Sequence, residues 1–275
     1  MPLQHQRLPA GVPARALVLL SGGLDSATVL GILNDSPQCK RIECISINYG
    51  QRHFDTEAVC AGMIADHYKV QHAVLDLGDV ARQIFYKSPL IKTSGEAVPV
   101  GEDPNRGVVA PTYVPRRNTV LLAIASAIAE QRGLSALAYG AHKTDSAYPD
   151  CGIEYAIAMK HLLIVGSPVK CSPMNLYFPI IHFTKRDVVE LAAELQVPVA
   201  LTHSCYQGKR PACGVCDTCQ IRIAAFKAAG YIDPIEYEID IDWGDCNLFP
   251  GEDGLVDYDD DDEPCEPYQN DITDA

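Results

Sequence analysis

Leu17-Val18-Leu19-Leu20-Ser21-Gly22-Gly23-Leu24-Asp25-Ser26-Ala27-Thr28-Val29-Leu30 sets an apolar run, a glycine bend and a second apolar run in direct succession. The first run has the length and the Leu/Val content of a buried parallel strand, and the second opens at Ser26, a residue that favours helix starts. Strand, glycine turn and helix make a cradle for phosphate. Paired glycines let the backbone approach an anion with its N–H groups, and the helix start adds its positive dipole end. A Walker loop would read G-x-x-x-x-G-K-[ST], and Ser21 to Ser26 has neither that spacing nor that lysine. A different nucleotide loop is expected, with an ordinary strand-to-helix turn as the alternative.

At 275 residues and 47% hydrophobic composition the chain can bury one large α/β core, with or without an appendage. No apolar run is long enough to span a bilayer and residues 1–13 lack the apolar centre of a signal peptide, so the cytoplasm is the expected location. The net charge of -14 is unevenly placed: residues 233–275 hold 17 acidic residues and no Lys or Arg, leaving 22 basic against 19 acidic residues in the body. A body near neutrality suits a small anionic ligand such as ATP and speaks against a large nucleic-acid footprint. The tail, with Asp257-Tyr-Asp-Asp-Asp-Asp-Glu263, reads as solvated or as a docking element for a basic partner. Residues 232–243 before it alternate as an edge strand does.

Strands are expected at 41–47 and 72–77 and a helix at 56–68, and strands alternating with helices predict a doubly wound parallel sheet. Ligands of such sheets sit at the carboxyl ends of the strands, where the glycine bend and Tyr49-Gly50-Gln51-Arg52-His53 both fall. Residues 88–117 read as a long lid or substrate loop, with surface disorder as the alternative. It closes in Pro115-Arg116-Arg117-Asn118-Thr119, where Asn118 or Thr119 caps a helix to about residue 130. Arginine opposes the dipole at a helix start and makes more sense beside an anion. After a strand at 134–139, residues 140–151 carry two carboxylates, the Tyr148 phenol and the Cys151 thiol, a set costly in a core and useful in a pocket. A helix at 153–165, a strand at 177–181 and a helix from 184 to 195 follow. Lys185 in its first turn reads as a phosphate contact or a solvated surface lysine.

Of 11 cysteines, four cluster as Cys205-x7-Cys213-x2-Cys216-x2-Cys219. Without a secretory signal these are thiols or metal ligands, and the spacing is that of a closed tetrathiolate. Structural Zn2+ is the expected occupant, tying the end of the sheet to a helix at 221–229, because four protein ligands leave no open position for catalysis. An iron–sulfur cluster, a redox pair and chance are the rivals.

Ser-Gly-Gly-x-Asp-Ser after a strand resembles the PP-loop of ATP pyrophosphatases. Together with Tyr49 to His53, Tyr148-Pro149-Asp150-Cys151, Lys185 and the four cysteines, it is similar to the 7-cyano-7-deazaguanine synthase (QueC) family over about residues 16–230. The resemblance implies an adenine nucleotide alpha hydrolase-like fold and a reaction that converts 7-carboxy-7-deazaguanine, ammonia and ATP into the nitrile through an amide, for queuosine synthesis. It implies ATP phosphates on Ser21, Gly22, Gly23, Leu24, Asp25 and Ser26, and catalysis by Asp25, Lys185 and Arg117. Asp25 either helps hold Mg2+ or caps its helix. Tyr49, Gln51, Arg52, His53, Asn118, Tyr148 and Asp150 are the implied substrate contacts, and a homodimer is compatible with it. The layout expected is a disordered N-terminus (1–15), a nucleotide-binding domain (16–200), a zinc-binding subdomain (201–232) and a largely disordered acidic tail (233–275). The family usually reads Pro-Gly-Arg-Asn where this chain has Pro115-Arg116-Arg117-Asn118, and the loop before Tyr148 is about one residue short. A related ligase that joins the deazaguanine acid to another amine, such as one on a protein, therefore stays open, as does tRNA thiolation.

Overall fold

Five parallel strands frame the protein in the order β3-β2-β1-β4-β5: β1 (Arg15–Leu19), β2 (Arg41–Asn48), β3 (Gln71–Asp76), β4 (Ala136–Ala138) and β5 (Asn175–Tyr177). The computed structural model describes residues 11–100, 109–168 and 174–251. Helices α1 (Leu24–Asp35) and α2 (Phe54–Tyr68) cross from β1 to β2 and from β2 to β3, and α3 (Gly78–Ile84) follows β3. The chain then returns through α4 (Arg117–Gln131) to β4 on the far side of β1, and α5 (Ile153–Gly166) leads to β5. The strand order therefore reverses between β1 and β4, which leaves a crevice at their carboxyl ends.

The apolar residues of α1, α2, α6 (Lys185–Glu194) and α7 (Asp217–Ala229) form one core layer on the sheet, and those of α4 and α5 form the other. Helix α1 is buried over Leu24 and Ser26–Leu33, which explains why its sequence is apolar around its whole circumference. Val18 at the centre pairs with Cys44 on one side and Ala138 on the other. This is the doubly wound α/β fold expected from the alternation of runs.

Several boundaries differ from expectation for identifiable reasons. β5 ends at Tyr177 rather than spanning 177–181, because Pro179 lies in a turn. Helix α3 was not anticipated; its start is held by Asp76, whose Oδ1 accepts from Gly78 N at 2.7 Å. Helix α7 begins at Asp217, with Cys216 as N-cap, so the cysteine motif runs into the helix.

The acidic tail divides. Residues 233–251 pack as an irregular strap, while 252–275, with the Asp/Glu run, lie outside the described residues, as do 1–10. The expected edge strand is replaced by isolated bridges, Ala212 to Tyr237 and Tyr231 to Asn247. The strap is anchored by ring contacts of Phe249 with Phe226 and Tyr231, and by a buried ion pair. Arg222 of α7 donates from Nε to Asp233 Oδ2 (2.6 Å) and from Nη2 to Oδ1 (2.9 Å), the two side chains being 1% and 0% exposed. Its Nη1 donates to Thr202 Oγ1 (2.8 Å) and Ser204 Oγ (3.2 Å), and Tyr237 donates its hydroxyl to Asp233 at 2.7 Å. Over residues 233–251 the tail is held to the body because this carboxylate is the counter-ion of a buried guanidinium. Asp233→Ala strands that charge and is expected to cost about 3 kcal/mol or more, read from urea unfolding midpoints at constant m; an unchanged midpoint would show the pair to be dispensable.

Candidate active site

The glycine bend is shaped by contacts that leave no room for side chains. Gly22 has φ +75, and a Cβ there would lie 2.4 Å from the Glu57 carbonyl oxygen and 2.9 Å from Cys60 Cβ. Its own carbonyl accepts from His203 N at 2.8 Å, so the bend is clamped between α2 and the 202–204 segment. Gly140, at the end of β4, is tight on the other side: a Cβ would sit 3.0 Å from Asp25 C. Inside the bend Ser26 Oγ donates to Gly23 O (3.0 Å) and accepts from Ser21 N (3.2 Å). Gly23 is the N-cap of α1 with no side-chain cap, so the first-turn N–H groups are left for a ligand, as an anion site requires.

Asp25 does not cap the helix. Lys185 Nζ donates to both its oxygens at 2.6 Å, and His142 Nε2 stands 3.4 Å from Asp25 Oδ1 and 3.5 Å from Asp145 Oδ2. Burial acts to raise the Asp25 carboxyl, but Lys185 and His142 outweigh it and hold it well below the usual carboxylate range. Asp145 moves the other way, raised chiefly by burial. Lys185 is only 12% exposed, which sets aside its reading as a solvated lysine.

These groups line one end of a cavity of about 330 Å³ at the β1/β4 crevice; Leu19, Leu20, Ile45 and Ile47 form an apolar wall. The same cavity is lined by Tyr49, Gln51, His53, Glu57, Arg117, Asn118, Tyr148, Cys151 and Tyr206. Arg117 lies over the Tyr49 ring with its guanidinium carbon 5.9 Å from the centroid, and Tyr148 shares its hydroxyl with Thr112 at 2.6 Å. Burial lowers His53 to about 4 and raises Glu57 to about 8, so both favour their neutral forms at neutral pH. Burial likewise lifts the Cys151 thiol to about 12, which makes it a poor nucleophile. A larger hollow of about 570 Å³ along 232–249 is lined by Asp233, Glu236 and Asp240 with no cation, and does not suit a polyanion.

The structure brings most of the expected residues to this cavity, with four exceptions. Gly22 and Leu24 shape the bend from behind, Leu24 as a core residue. Arg52 is spent on the adjoining loop, donating to Pro89 O (2.7 Å) and Glu96 O (2.6 Å). Asp150 accepts from Asn118 N at 3.0 Å and so holds the start of α4 instead of facing the cavity. Neither Asn118 nor Thr119 is the N-cap; that is Arg116, in left-handed conformation at φ 59. Arg116 is exposed and is not among the residues that line the cavity.

Cys205, Cys213, Cys216 and Cys219 are all buried, with their sulfurs within 4.8 Å of one another, a set that could hold a metal ion. It adjoins the cavity through Tyr206, which lies between Cys205 and the His53 ring, 5.6 Å centroid to centroid.

The model of the queuosine biosynthesis protein QueC matches residues 15–230. The chain belongs to that family. Its relatives include the 7-cyano-7-deazaguanine synthases of Thermoplasma volcanium (39% identical over 236 residues, covering 82% of this chain and 92% of the relative) and of Cupriavidus taiwanensis (41% over 229 residues, 82% and 97%). That of Oceanobacillus iheyensis is 39% identical over 228 residues, covering 81% and 98%. No helix among the described residues is long and apolar enough to cross a membrane.

Within the QueC frame, sequence reasoning missed His142, Glu57, Gly140, His203, Ser204 and Tyr206. The i, i+4 spacing of His53 and Glu57 at a helix start was the one signal available for Glu57. Glu57 also sets a pH dependence. Its value in the folded protein lies above the ordinary 4.5, so it disfavours the folded state increasingly as pH rises from about 4.5 to about 8. Glu57→Gln is therefore expected to gain stability relative to wild type between about pH 5 and about pH 8 in urea titrations; a difference independent of pH would contradict the burial of this carboxyl.

Proposed function

We propose that this enzyme uses ATP to convert 7-carboxy-7-deazaguanine and ammonia into 7-cyano-7-deazaguanine, as the names of its relatives suggest. The observation that carries the reading is one cavity with a bare helix N-terminus, Lys185, Asp25 and His142 at one end and an aromatic, Arg117-bearing recess at the other. ATP is taken with its phosphates on Ser21, Gly23 and Ser26 and the N–H groups of α1, and its adenosine against Leu19, Ile45 and Ile47. The carboxylate oxygen of the substrate attacks the α-phosphorus and pyrophosphate leaves, giving an acyl adenylate. Ammonia then displaces AMP to form the amide. Attack of the amide oxygen on a second ATP releases pyrophosphate, and loss of AMP and protons from the adenylated amide gives the nitrile.

The work of the protein is alignment and charge stabilisation. Lys185 exchanges Asp25 for phosphate oxygens and stabilises the departing pyrophosphate. Asp25 and Asp145, whose carboxylates flank His142, are the pair that would hold Mg2+, which neutralises phosphate charge when bound. Arg117 faces the substrate carboxylate. The four thiolates would hold a structural Zn2+, an all-sulfur, fully buried donor set being suited to that ion, which would fix the Tyr206 segment beside the recess.

Purified protein incubated with ATP, ammonium and 7-carboxy-7-deazaguanine is expected to release AMP and yield the nitrile mass, with zinc near one equivalent by elemental analysis. Lys185→Ala should slow turnover roughly 100-fold. Absence of AMP overturns the reading, and AMP without nitrile points to a different acceptor amine.

A further inference from the structure

We propose that the Glu57 carboxylate recognises the deazaguanine base, accepting from its ring N–H and its 2-amino group. This rests on the substrate reading above and assigns the residue that makes the site specific for a guanine-type edge. Four carboxylates line the cavity: Asp25, Glu57, Asp145 and Asp217. Asp25 and Asp145 stand with Lys185 and His142 at the phosphate end, and Asp217 opens α7 directly after Cys216. Glu57 is the one set among Tyr49, Gln51 and His53, in the aromatic recess.

Gln51 is built to orient Glu57 and not to meet a ligand itself. Its Oε1 accepts from Tyr49 N (2.9 Å), and its Nε2 donates to Ile47 O and to Glu57 Oε2, each at 3.2 Å. Both amide hydrogens are thus used. On the other side His53 Nε2 lies 3.6 Å from Glu57 Oε1. An ionised carboxylate offers about four acceptor directions, and Gln51 fills one. The Glu57 side chain is 18% exposed, and that exposure faces the cavity. A guanine-type base presents two parallel N–H donors that match a carboxylate fork as a guanidinium does. Such donors would compensate the burial that now holds this carboxyl at about 8.

The test compares binding of 7-carboxy-7-deazaguanine with that of its counterpart lacking the 2-amino group, by calorimetry on the full chain. Wild type is expected to prefer the 2-amino base by roughly 100-fold or more, since the analogue leaves a buried acceptor unpaired. Glu57→Gln should reduce that preference to within about threefold and leave ATP affinity unchanged, a split that a merely structural role would not produce. This variant removes a charge disfavoured by burial and is expected to fold; Glu57→Asp, which withdraws the carboxylate, should also lose most of the preference. Equal binding of both bases by wild type, or full preference kept by Glu57→Gln, overturns the assignment while the substrate reading stands. If wild type binds neither base, the substrate reading falls and the assignment with it.

Discussion

The site depends on a steric constraint: the start of α1 is pressed between α2, the 202–204 segment and the end of β4 so closely that a methyl group at Gly22 would overlap its neighbours and one at Gly140 would crowd the Asp25 backbone. This compression leaves the first N–H groups of the helix without a side-chain cap and aims them into the crevice where the strand order reverses. A loop without a lysine of its own then takes one from a distance. Lys185 arrives from α6, 160 residues later in sequence, because a Thr184–Asp187 capping box fixes where that helix begins.

Charge in the cavity is arranged in opposing pairs that a ligand can rearrange. Lys185 closes on Asp25 in the structure described, and a triphosphate would compete for that cation while freeing the carboxylate. The chain beyond the matched family model takes part in the same scaffold. Asp233 neutralises Arg222, whose remaining N–H groups hold Thr202 and Ser204, and His203 between them clamps the glycine bend. The strap therefore lies in the load path of the phosphate loop, and its acidity is in part that of a buried counter-ion.

What was legible in the sequence follows from where local chemistry decides structure. Strand and helix alternation, the Ser21–Ser26 bend and the cysteine spacing are set by neighbours within a few residues, and they stand in the structure as read. Motif membership does not tell a side chain that meets a ligand from one that holds the backbone beside it, and Arg52 and Asp150 both bond to neighbouring backbone. His142 was hidden because the carboxylate it meets at 3.4 Å, Asp25, lies on another element, whereas Glu57, with its partners Gln51 and His53 close by in sequence, left only an i, i+4 spacing to mark it. The tail misled in a different way: its composition is that of a solvated segment, and one carboxylate reaching a buried arginine 11 residues earlier outweighs composition over the strap. Arg116 shows the converse, a non-glycine residue that nonetheless takes the left-handed backbone of the turn.

The most direct measurement is a calorimetric titration of ATP with magnesium into the wild-type chain and into Gly22→Ala, each verified as folded by circular dichroism. The forced displacement of the bend from α2 is expected to weaken binding at least tenfold, about 1.4 kcal/mol or more. Equal affinity in the two proteins would mean that the phosphates are held elsewhere.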